Sequence, residues 1–181
     1  MMKSLSVLLV GMSVLAQDRV NPHALIVQDF EKRVADYVNL RKGLSKGLPS
    51  TTKPTEEPQA ILDGQHELAH KIRQARAHAR QGDVFTPEIA AEFHRLLGFA
   101  REGKDDGNIK KSLERAEPVR FILHINDAYP PAVPLQSTPP TILMNLPQLP
   151  PDLEYRIVGQ ALVLRDSAAN IVVDLIPDAI P

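Results

Sequence analysis

The sequence predicts an α+β protein: an N-terminal antiparallel helical hairpin plus shorter helices, followed by a small antiparallel β-meander. Three observations carry that expectation. Two apolar stripes at heptad spacing occupy the first half, a polar proline-rich loop separates them, and the apolar period changes to two after Pro118.

The first stripe is Val27, Phe30, Val34, Tyr37, Arg41, Leu44 and Leu48, at alternating spacings of three and four. The second is Ile61, Gln65, Leu68, Ile72, Ala75 and Ala79, spaced in the same way. Each puts a narrow apolar face along one helix. Pro49, Pro54 and Pro58 punctuate the polar stretch between them, so it reads as a loop. A loop of that length favours an antiparallel hairpin over residues 22–81, with Gly82 closing the second helix. Antiparallel pairing sets Leu44 against Ile61, Tyr37 against Leu68 and Val34 against Ile72. Arg41 and Gln65 then share a layer. Two readings of that layer stand: the side chains meet and help fix register, or each snorkels to solvent.

Thr86-Pro87-Glu88 supplies an N-cap, a proline at the first helical position and an acid in the first turn. It opens a helix over 86–100 with an apolar face of Ile89, Phe93, Leu96, Leu97 and Ala100. A further short helix is expected over 108–116, stopped by Pro118. Val119, Phe121, Leu123 and Ile125 then alternate as in a strand. Residues 130–151 hold eight of the sixteen prolines, which predicts an irregular crossing with one short helix over 139–146. Strands are expected over 153–158, 161–165 and 170–176. Gly159-Gln160 makes the first turn and residues 166–169 the second.

Residues 1–16 read as a secretory signal peptide. Lys3 starts it, an apolar run follows from Leu5 to Leu15, and Ala16 gives a small residue before the expected cleavage at Gln17. The working chain then divides into a helical region, 17–117, and a proline-rich α+β region, 118–181. No later apolar run reaches the ~20 residues of a membrane span, so no integral membrane segment is expected after signal removal. The expected location is periplasmic or secreted. Without Lys3, 20 basic residues face 22 acidic ones, a net charge of −2. Such balance gives no reason to expect a nucleic-acid partner. The chain has no cysteine, which excludes a lipoprotein anchor, thiol catalysis and cysteine-rich zinc sites.

His66-Glu67-Leu68-Ala69-His70 spells H-E-x-x-H. On a helix the two histidines can share a zinc ion while the glutamate acts as general base. The motif resembles that of the zincin metallopeptidases, which would imply a zinc-dependent hydrolase. Helical geometry weighs against it: at ~100° per residue, His66 and His70 lie roughly opposite the apolar stripe. Charged Asp63 and Lys71 flank the motif, and Arg73 and Arg76 stand where an extended zincin motif needs glycine and histidine. No catalytic, cofactor-binding or metal-ligating residue is therefore assigned, and no cofactor is expected. Arg73, Arg76 and Arg80 share a helix side and read as a solvated face. Glu154, Asp166 and Asp174 are expected to pair with Arg156 and Arg165 across the meander.

Gln81-Gly82-Asp83-Val84-Phe85-Thr86-Pro87-Glu88, taken with residues 149–159 and the strands around Val163 and Val173, resembles a group of exported bacterial proteins of this size with no known activity. That resemblance implies compartment and architecture. The last hairpin is similar to the C-terminal hairpin of small periplasmic nickel/cobalt-homeostasis proteins, which implies a metal-response role. The function expected from the sequence is a non-enzymatic envelope binding or interaction module, with the helical hairpin available to a protein partner. A zinc-dependent hydrolase and a periplasmic metal-response protein are the rival readings.

Overall fold

The computed structural model describes residues 21–49, 58–102, 122–130 and 143–180. It has an α+β fold: three helices, α1 (Pro22–Leu44), α2 (Pro58–Ala75) and α3 (Pro87–Glu102), followed by strands β1 (Leu153–Val158), β2 (Ala161–Asp166) and β3 (Ile171–Ile176). The strands form one antiparallel meander in the order β1-β2-β3. The signal segment, the loop over 50–57, the short helix expected over 108–116 and most of the crossing over 131–142 lie outside the described residues.

Local chemistry explains the helix starts. The Asn21 side chain caps α1 by accepting from the His23 backbone N–H, and Pro22 follows in the first turn. Thr86 Oγ1 accepts from Ile89 N at α3. The buried side of α1 is Phe30, Val34, Tyr37, Val38 and Arg41, so the first stripe lies inward. On α2 the buried positions are Gly64, Leu68, Ala69 and Ile72. Ala75 is exposed, and α2 ends there rather than running to Gly82. The early stop has a physical cause. Asn126 Nδ2 donates to the Arg76 carbonyl (2.8 Å), and the backbone N–H groups of Gly82, Val84 and Phe85 are drawn out of helical geometry to an acceptor on β3.

Contacts to the sheet fix the helix directions. Gln65 Nε2 donates to the Ser167 carbonyl and Arg76 Nη2 to the Val173 carbonyl, so α2 runs along β3 in the same sense. Tyr37 and Arg41 meet Asp166, while Phe30 stacks on Phe85 nearer the other end of β3, so α1 runs the opposite way. Arg41 and Gln65 therefore neither fix register by bonding each other nor snorkel to water. Both reach the β2–β3 turn, at Asp166 and Ser167.

The sheet has two buried faces. Leu153, Tyr155, Ile157, Leu162, Leu164, Ile171, Val173 and Ile176 pack against the helices. Phe30, Phe85 and Phe93 form the centre of that core, with ring centroids 4.9–5.6 Å apart, and Phe93 lies 6.0 Å from Tyr155. Val158, Val163, Val172 and Leu175 form the other face, covered by Leu123, Ile125 and Tyr129.

The strand expected from Val119 is corrected where it is described. Residues 122–125 are irregular, and Ile122 is 83% exposed. Pairing with β3 begins later, at Asn126 N to the Val172 carbonyl, and continues through the Ala128 bridge to Ile171. Asn126 holds a left-handed φ of 68°, which turns the chain onto β3 only at that point. Of the short helix expected over 139–146, the described part is Leu143 and a turn closed by Leu146 N to the Leu143 carbonyl.

Candidate functional site

His66, Glu67 and His70 all lie on the exposed side of α2. Glu67 is 3.9 Å from Lys71 one turn on. Among the described residues no group of three or more metal-ligating side chains comes together. The motif thus has neither a wall nor a third protein ligand within that set.

The polar residues that converge are others. Asp166 and Asp174 are both fully buried. Asp166 accepts from the Tyr37 hydroxyl (2.7 Å), from Arg41 Nη1 (3.4 Å) and from Ala169 N (3.1 Å). Arg41 continues to the Pro151 carbonyl and to Asp152. Burial, and then the charge of Asp166, push the Tyr37 hydroxyl far above its usual range. The Arg76 guanidinium lies 5.2 Å from the Tyr37 ring centre, and desolvation lowers its pKa.

Asp174 owes its position to a β-bulge. Arg165 pairs with Val172 and Leu164 with Asp174, so Val173 is an extra residue on β3. The bulge turns Asp174 to the helical side, where its carboxylate accepts four backbone N–H bonds. Gly82 and Leu175 donate to Oδ1, and Val84 and Phe85 to Oδ2, at 2.7–3.0 Å. Gly82 makes this close wrap with a φ of 94°. Residues 82–85 and the last strand thus meet at one carboxylate.

Cross-strand pairing holds for one of the three acids named from sequence. Glu154 faces Arg165 across β1–β2, accepting from its Nη1 at 2.6 Å, and accepts from Arg156 Nη2 at 2.5 Å. Asp166 and Asp174 serve the helices and the 82–85 loop instead. The arginine row on α2 and just beyond it is not simply solvated: Arg73 donates to the Asn126 carbonyl and Arg76 to the Asn126 side chain. Sequence reasoning missed Tyr37 as a polar anchor, because its heptad position accounted for its ring alone.

A groove of about 540 Å³ opens beside β1. Leu143, Pro147, Leu149 and Leu153 give it apolar walls, and Gln148, Glu154 and Arg156 give it a polar end. The Tyr155 hydroxyl donates to the Pro147 carbonyl (2.9 Å), tying the two walls together. Its volume lies within the ~300–1,000 Å³ typical of small-molecule sites. Comparison with known proteins finds no matching protein family, no matching curated protein and no matching solved structure.

Proposed function

We propose that this chain is an exported, non-enzymatic envelope module that binds rather than transforms its ligand. One observation carries the reading. The buried carboxylates, Asp166 and Asp174, are held by the fold's own donors, while the H-E-x-x-H side chains stand open to solvent. A general base needs a lone pair aimed at a substrate, and these acids aim theirs at backbone N–H groups and Tyr37. Periplasmic or secreted location follows from the signal-like residues 1–16, and the helical hairpin remains available to a protein partner.

The test is a broad hydrolase screen of the full chain with elemental analysis of protein purified without chelator. The expected result is no turnover and less than one zinc per chain. Stoichiometric zinc, lost in His70→Ala, together with turnover lost in Glu67→Gln, would instead establish the zinc-hydrolase reading. Tight stoichiometric nickel or cobalt without turnover would favour the metal-response reading.

A further inference from the structure

We propose that the exposed face of α2 is a zinc-bridged contact between two copies of this chain, with His66 and His70 of each copy as the four ligands. The inference goes beyond the binding-module reading and does not depend on what that module binds.

Ligand spacing is the first support. His66 and His70 are one turn apart on α2, and both are exposed. Side chains at that spacing stand on one side of a helix with Cβ atoms about 5–6 Å apart, so both imidazoles can reach one ion. A structural zinc site is tetrahedral and closed by four ligands. One chain supplies two of them, and among the described residues no third ligand joins the pair. The pair is therefore half of a closed site. An isologous contact presents the same half twice and completes it.

The charges beside the histidines select a second copy as the occupant. At ~100° per residue, Asp63, His66, His70 and Arg73 fall within about a quarter turn of α2. All four are exposed. Asp63 and Arg73 lie equally far along the chain from the middle of the histidine pair, one on each side. When two copies of α2 lie antiparallel about a two-fold axis through the zinc, each acid faces the partner's guanidinium. A parallel arrangement sets acid against acid and guanidinium against guanidinium, which is disfavoured. Both side chains are held in place on the face. Asp63 accepts from Gln59 Nε2 (2.9 Å), and Arg73 is anchored through Nε to the Asn126 carbonyl (2.9 Å), so its Nη groups are the ones that reach outward. Glu67 stands to one side of this face, 3.9 Å from Lys71.

Sedimentation velocity of the full chain, first with zinc sulfate and then with EDTA, tests the assignment, with elemental analysis of the dimer fraction. The expected result is a monomer without metal, a dimer holding one zinc per two chains, and a monomer again after chelation. His66→Ala and His70→Ala should each abolish the dimer with helical circular dichroism unchanged, because both positions are exposed. Asp63→Arg sets like charges across the axis and should weaken zinc-dependent dimerisation at least about tenfold. Adding Arg73→Asp to the same chain should restore it, since the exchanged charges meet again. One zinc per monomer, no zinc uptake, a dimer that persists in EDTA or in His70→Ala, or no rescue by the charge exchange would overturn the proposal. Turnover in the hydrolase screen with the zinc dimer intact removes the binding-module reading and leaves this contact standing.

Discussion

At the scale of single residues, two buried carboxylates organise the molecule, and their partners differ in kind. Asp174 holds backbone groups, which have no substitute acceptor if it is lost. Asp174→Asn turns one acceptor oxygen into an NH₂ donor facing N–H groups. We expect it to destabilise the fold by at least about 2 kcal/mol in urea unfolding; a change within experimental error would show that the four bonds contribute nothing net. Asp166 holds side chains as well as one backbone N–H, so trimming one partner leaves others in place. Tyr37→Phe keeps the ring in the core and removes one hydrogen bond to a buried acid. Its expected cost is ~1–3 kcal/mol, smaller than that of Asp174→Asn, and the same unfolding measurement ranks the two.

At the scale of elements, the bulge on β3 is the device that separates the two sheet faces. Val172 and Leu175 stay on the Tyr129 side, while Val173 and Asp174 both turn to the helices. Deleting Val173 would remove the extra residue and restore simple alternation, with Asp174 still opposite Leu164 on the helical side. Val173→Ala keeps the count and loses two methyl groups. Both variants should retain cooperative thermal unfolding with a lowered midpoint; loss of cooperativity in the deletion alone would mean that the local geometry of the bulge, and not only the face on which Asp174 lies, is needed there. The elements themselves were legible, because amphipathic periods of 3.5 and 2 record burial directly. Phe30, Val34 and Tyr37 are inward as their spacing implied, and the meander strands agree with expectation within a residue at each end. The bulge left no such record, since Ile171 to Ile176 is apolar apart from Asp174 and shows no alternation to break. Nor did the role of Asp174, whose partners lie about 90 residues away in sequence. The end of α2 is hidden for the same reason: Gly82 resembles a helix stop, and only the distant acceptor makes the chain leave the helix earlier, at Ala75.

For the whole molecule, the tyrosines give a global reporter. The chain has three, and burial raises the pKa of all of them: Tyr37, Tyr129 and Tyr155. Unfolded tyrosine ionises near pH 10. The folded state keeps its protons longer, so this contribution to stability is complete below about pH 10 and declines as pH rises beyond it. Tyrosinate absorbance should therefore appear in one cooperative step above pH 10, together with loss of helical circular dichroism. A gradual titration near pH 10 with the fold intact would contradict the burial of these hydroxyls. The acid side depends on Glu92. The hydrogen bond from Arg95, and then that from His23, hold its carboxyl below the ordinary range. A lowered folded value means stability present above about pH 4.5 and lost as pH falls through the folded pKa. Glu92→Gln should flatten that limb of a stability-against-pH curve, and an unchanged limb would assign it to other acids. The wrap of residues 82–85 around Asp174 also orders events in time. A nascent chain that has emerged as far as residue 170 contains every helix of the hairpin and the loop itself, yet not the acceptor on which three of that loop's N–H groups close. Native closure of that loop must therefore wait for β3.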